Sequence, residues 1–107
     1  MYSYLDLRGA SGACYRFRPA SEVKTPMSGG FVYIRNGGDG CQLIYASAAE
    51  NLLTDPPSRW SEAVSRYGAT DNFLRLNVSR TARNQEMADI AEAHQPPMNA
   101  VTADAMG

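Results

Sequence analysis

Residues 31–46 constrain this chain more than any other stretch. Phe31-Val32-Tyr33-Ile34-Arg35 is an unbroken run of strand formers, and Leu43-Ile44-Tyr45-Ala46 is another. Between them, Asn36-Gly37-Gly38-Asp39-Gly40 contains the Asn-Gly step that favours tight hairpins. The two runs predict an antiparallel hairpin. A chain of 107 residues built round such a pair has room for one domain and one core.

The flanking segments complete an α+β pattern. Residues 2–8 and 13–18 read as a further hairpin, with Tyr2, Tyr4, Leu5 and Leu7 ahead of a Gly9-Ala10-Ser11-Gly12 turn. In its second strand Ala13, Tyr15 and Phe17 alternate with Cys14, Arg16 and Arg18, which puts arginines and aromatics on opposite faces. Ser47 with Glu50 three residues later predicts a capped short helix ending near Leu53, before Asp55-Pro56-Pro57. Ser58 is the expected cap of a second helix over 59–67, stopped by Gly68, with Trp60, Ala63, Val64 and Tyr67 on its apolar face. Residues 72–78 return to strand. A last helix over 81–94 carries Met87, Ile90 and Ala91 as its apolar stripe, with Asp89 and Glu92 facing away, and ends before Pro96-Pro97.

Strands grouped early and helices late predict a small antiparallel sheet, from 31–35, 42–46 and 72–78, flanked by helices. Residues 1–28 form an extra N-terminal β-hairpin at its edge, 29–99 the main domain, and 100–107 a flexible tail.

Composition narrows the classes of function. No apolar run approaches the ~20 residues of a membrane span, and the N-terminus lacks the basic and apolar segments of a signal peptide. Cytoplasmic residence is the expectation. Net charge is −1, so no global field draws the chain to nucleic acid, although residues 1–35 carry a local balance of +3 and the remainder −4. Cys14 and Cys41 fit no zinc spacing and are expected as two reduced, half-buried thiols on neighbouring strands. The one histidine, His94, falls near a helix C-terminus, where a capping role is expected. Trp60 is expected in the core.

Four pieces, in order, resemble the GIY-YIG endonuclease domain: Gly30-Phe31-Val32-Tyr33-Ile34; Leu43-Ile44-Tyr45-Ala46-Ser47 followed by Ala48-Ala49-Glu50-Asn51-Leu52; Gly68-Ala69-Thr70 before a strand; and a final helix running into Gln95-Pro96-Pro97-Met98-Asn99. The resemblance spans residues 29–99 and implies phosphodiester cleavage with one divalent cation, Mg²⁺ or Mn²⁺, held by a glutamate on the last helix. It further implies tyrosines that orient or deprotonate water and an arginine that neutralises the phosphate. On this sequence the matching positions are Tyr33, Tyr45 and Asn99, with Arg59 as the nearest arginine.

The pattern is also broken in places. Phe31 and Ser47 stand where the family has glycines, and Thr54 and Asp55 where it has arginine. The metal position reads Met87, a thioether unsuited to a hard cation. Glu86 lies one residue earlier, about 100° round a helix, and is the candidate metal ligand only if the helix is re-registered. The expected activity is therefore that of a nuclease-like domain with an eroded site, binding DNA or a protein without efficient cleavage and needing no cofactor. The alternatives are an active metal-dependent endonuclease using Glu86, and an inhibitor or interaction module of the kind found among small phage or mobile-element proteins.

Overall fold

The computed structural model describes residues 4–22, 24–38 and 40–99. Tyr2 of the first hairpin, Asp39 of the central turn and the expected tail at 100–107 lie outside the described residues. Five strands, β1 (Leu5–Arg8), β2 (Cys14–Pro19), β3 (Gly29–Gly37), β4 (Gly40–Ala49) and β5 (Asp71–Leu76), make one antiparallel sheet in the order β1-β2-β5-β3-β4. Among the described residues it is accompanied by the helices α1 (Trp60–Tyr67) and α2 (Arg80–His94), a single helical turn at 97–99, and short 3₁₀ turns at Ala20–Glu22 and Pro56–Arg59. The α+β class, the antiparallel trio β3, β4 and β5 and the hairpin added beside β5 all agree with the sequence.

β3 lies between β5 and β4, and its apolar run has a physical reason: both of its faces are covered. Phe31 and Tyr33 enter a cluster with Ile44, Leu52, Ala63, Leu74 and Met98, against which Trp60 and Tyr67 of α1 pack. Val32 and Ile34 enter the opposite cluster with Leu7, Phe17, Leu43, Ala46, Met87 and Ile90, beneath α2. The β3–β4 register slips between Tyr33 and Ile34, which pair with Tyr45 and Leu43, so β4 carries Ile44 as an extra residue. Through this bulge Ile44 and Tyr45, though consecutive, both pack toward the α1 side.

After α2 the chain crosses to the other face of the sheet. Gln95 turns it in a left-handed conformation, φ 48°, with its N–H bonded to Ala91 O. Met98 is then fully buried on the α1 side.

Tertiary pairing overrides several local signals. The predicted helix after Ser47 does not form. β4 instead continues to Ala49, paired with Gly29, and Asn51 then closes a turn in which its Oδ1 accepts from Leu53 N at 2.9 Å. The ladder also runs past the Asn-Gly step to a Gly37–Gly40 pair. Ser58 is not the cap of α1; that position is Arg59, which has no side-chain cap bond, while Gly68 at φ 73° ends the helix as expected. Val64 and Val78 are exposed. The cysteines are both exposed, on β2 and β4, with β5 and β3 between them, and so are neither half-buried nor on neighbouring strands.

Asp89 does not face away. Its carboxylate accepts from Ser11 N at 2.8 Å, Ser11 Oγ at 2.6 Å and the Tyr15 hydroxyl at 2.7 Å, and so fastens the β1–β2 turn to α2. A Cβ on Gly9 would lie 2.0 Å from Asp89 Oδ2, so this seat admits only glycine there without rearrangement. His94 does not cap α2 either; its Nε2 meets Arg8 O at 3.0 Å, a second tie to the hairpin.

Candidate functional site

The tyrosines singled out from the sequence stand opposite each other, Tyr33 on β3 and Tyr45 on β4. With Phe31 they form a triangle of rings whose centroids are 5.5–5.7 Å apart. Trp60 closes the triangle from α1, edge-on to Tyr33 at 5.1 Å. Tyr33 has no exposed surface. Its hydroxyl accepts from the backbone N–H of Arg59 at 3.3 Å. Burial pushes the Tyr33 phenol up, an effect the Arg59 N–H partly offsets, so the group stays protonated at neutral pH.

Arg59 itself reaches this face. Its guanidinium lies 4.9 Å from the Tyr45 ring centroid and is bonded to Glu62 Oε1 through Nη2 at 3.0 Å. Phe31 and Ser47, which stand in place of the two motif glycines, are direct cross-strand partners. Asn99 is at the outer edge of β4, where its Oδ1 accepts from Ala46 N at 2.9 Å and its Nδ2 donates to Ala46 O at 2.8 Å. The fold thus gathers Tyr33, Tyr45 and Arg59, and spends Asn99 on backbone.

Glu86 is elsewhere. It lies on α2, across the sheet from Tyr33, and is held by Arg75 through two bonds, Nε to Oε1 at 3.0 Å and Nη2 to Oε2 at 3.3 Å. Met87 is buried against Val32 and Ile34, and a Cβ on Gly30 would lie 2.3 Å from its Sδ. Glu62 of α1 is engaged by Arg59. This donor set does not fit a divalent cation beside the two tyrosines. Among the described residues no group of three or more His, Cys, Asp and Glu side chains could hold a metal ion.

A second feature escaped the sequence. β2 and β5 pair only at Arg18–Leu74 and Pro19–Phe73. Beside those pairs is an opening of about 350 Å³ lined by Tyr4, Arg16, Phe17, Arg18 and Arg75. Arg16 lies 5.2 Å from the Tyr4 ring centroid and pairs with Asp6 at 2.9 Å. Alternation along β2 correctly separates Arg16 and Arg18 from Phe17; what it lacks is Arg75, brought in by a strand from the other end of the domain. Arg83 was also missed. It is buried, and the 83, 87, 90 spacing with Met87 and Ile90 was the signal that placed it on the inner side of α2.

No helix among the described residues is long and apolar enough to cross a membrane. No family model, curated protein or solved structure matches this chain.

Proposed function

We propose that this chain is a derivative of the GIY-YIG domain that binds nucleic acid without cutting it. The burial of Tyr33 carries the reading. A phenol sealed beneath Trp60, Phe31 and Tyr45 does not reach a phosphate, and its raised pKa removes it as a base. The separation of Glu86 from that face points the same way. Residues that act together in catalysis fail together, so a site without its metal ligand loses most of its rate.

Nucleic acid is the favoured ligand because of the opening beside β2. Three arginines and the exposed Tyr4 line it, the residue types that track a phosphate backbone and stack a base, with Arg16 also paired to Asp6 and Arg75 to Glu86. The charge excess of residues 1–35 lies in the same part of the chain.

Supercoiled plasmid with Mg²⁺ or Mn²⁺ tests the first half, with Glu86→Ala and Tyr33→Phe alongside. Intact plasmid is expected. Cleavage by the parent chain that vanishes with EDTA and in both variants would establish an active nuclease and overturn the reading. Fluorescence anisotropy with single-stranded and duplex DNA tests the second half. Binding that weakens with salt and in Arg18→Ala is expected, and no binding at low salt sinks it.

A protein partner has one observation in its favour. β4 is an edge strand of 10 residues, and Asn99 occupies its outer side at Ala46. Such an edge accepts an added strand from another chain. Mixed-isotope NMR on a captured partner would place new backbone bonds on β4 if this reading holds.

A further inference from the structure

The N-terminus of α2 has an unusual neighbour. Ser79 caps the helix, its Oγ accepting from Ala82 N at 3.2 Å, and Arg83 N bonds to Ser79 O at 2.9 Å. The helical ladder offers no partner to the N–H groups of Arg80 and Thr81. Next to this first turn is a pocket of about 350 Å³ lined by Ala48, Ala49, Glu50, Arg80, Arg83 and Asn84.

Arg83 is 6% exposed and is the buried charged residue of the described chain. Its guanidinium has five donors, and one of them, Nη1, is bonded to Val78 O at 3.2 Å. Arg16, Arg59, Arg66, Arg75 and Arg80 all pair with carboxylates. Arg83, the least exposed of them, pairs with none among the described residues. None of its remaining nitrogens is an unpartnered buried atom, so these donors touch solvent, and the side chain lines the pocket. Arg80 also lines the pocket, bonded to Glu50 in a pair about 70% exposed on each side, which water screens. Alanines at 48 and 49 leave the floor open.

We propose that this pocket binds a phosphate group. Arg83 is the buried anchor, Arg80 the outer clamp, and Asn84 and the first turn of α2 supply further donors. Glu50 opposes the anion and sets the affinity low. The inference stands apart from the reading above, since it requires neither an inactive nuclease nor DNA. The same chemistry is presented by free phosphate and by a nucleic-acid backbone.

Titration with inorganic phosphate at constant ionic strength, followed by amide NMR, tests it. Saturable shifts confined to residues 79–84 and 48–50 are expected. Arg80→Ala should weaken binding about tenfold and Glu50→Gln should strengthen it. Both positions are exposed, so neither variant should impair folding, whereas Arg83→Met, read by the same spectra, should abolish the shifts. No saturable shift at these amides, or indifference to both Arg80→Ala and Glu50→Gln, overturns the proposal. An oligothymidylate added to the phosphate complex separates the sources: displacement that is lost in Arg80→Ala assigns the pocket to a backbone phosphate, and retention of phosphate assigns it to the free ion.

Discussion

Asn99 closes the outer edge of β4 by bonding both the N–H and the C=O of Ala46. One side chain thereby does what a neighbouring strand would do. Asn99→Ala leaves two backbone groups unpaired beside a buried residue and is expected to cost about 1–3 kcal/mol by thermal or chemical melting. The bared edge should also promote self-association, visible as concentration-dependent light scattering. A variant with unchanged stability but weaker DNA binding would instead give Asn99 a direct role at the ligand.

Tyr33→Phe removes the hydroxyl that accepts from Arg59 N inside the aromatic cluster. A loss of about 1 kcal/mol is expected, with DNA affinity unchanged in the same buffer. Tyr33→Ala, which empties the space under Trp60, should cost about 3–5 kcal/mol. If Tyr33→Phe left stability intact and reduced binding, the phenol would have to be reachable by the ligand.

Met87→Glu places a carboxylate among Val32, Ile34 and Ile90. The expected penalty is roughly 3 kcal/mol or more, and Mg²⁺ should not raise the melting temperature of the variant. Recovery on adding Mg²⁺ would mean that the position opens onto a metal site. Gly30→Ala should be destabilising beside Met87 and nearly neutral beside Met87→Ala, because the added Cβ conflicts with the thioether.

The Asp89 carboxyl is held below its usual range by the Ser11 hydroxyl first and the Tyr15 hydroxyl second. A depressed carboxyl contributes stability above its unfolded value, about pH 3.9, and loses it as pH falls through the folded value. Protection of the β1 and β2 amides, relative to their intrinsic exchange rates, should therefore be steady from neutral pH to about pH 4 and fall below it. Asp89→Asn should remove that acid dependence and loosen the hairpin at neutral pH. A hairpin equally protected in the variant would show that the sheet pairing alone holds it.

The strands were legible because β-formers in β3 and β4 are contiguous and turn residues flank them. The helices were legible in position, but less so in orientation. Ser47-Ala48-Ala49-Glu50 has the residues of a helix start, yet pairing of Ala49 with Gly29 decides the backbone there. Asp89 was read as solvated since helical periodicity reports where the sheet is, and says nothing of a hairpin arriving from residue 11. Of the candidate site, the meeting of Tyr33 and Tyr45 follows from hairpin register, while the distance of Glu86 depends on which face α2 takes. Periodicity fixes a helix's inner side and leaves the choice of sheet face open.

The strand order carries a consequence for how the molecule is made. β1–β2 and β3–β4 are each local hairpins, but no hydrogen bond of the sheet joins one to the other. β5 alone joins them, bonding β2 on one side and β3 on the other. A ribosome must therefore release everything through Leu76 before the sheet can exist as a unit, and until then two hairpins expose the edges that β5 will cover. The expected order is that the six-residue β5 docks last, between the two hairpins. Pulse-labelled exchange should find the amides of β2 and β3 that face β5 protected in one step, together with β5 itself and after the turns of both hairpins.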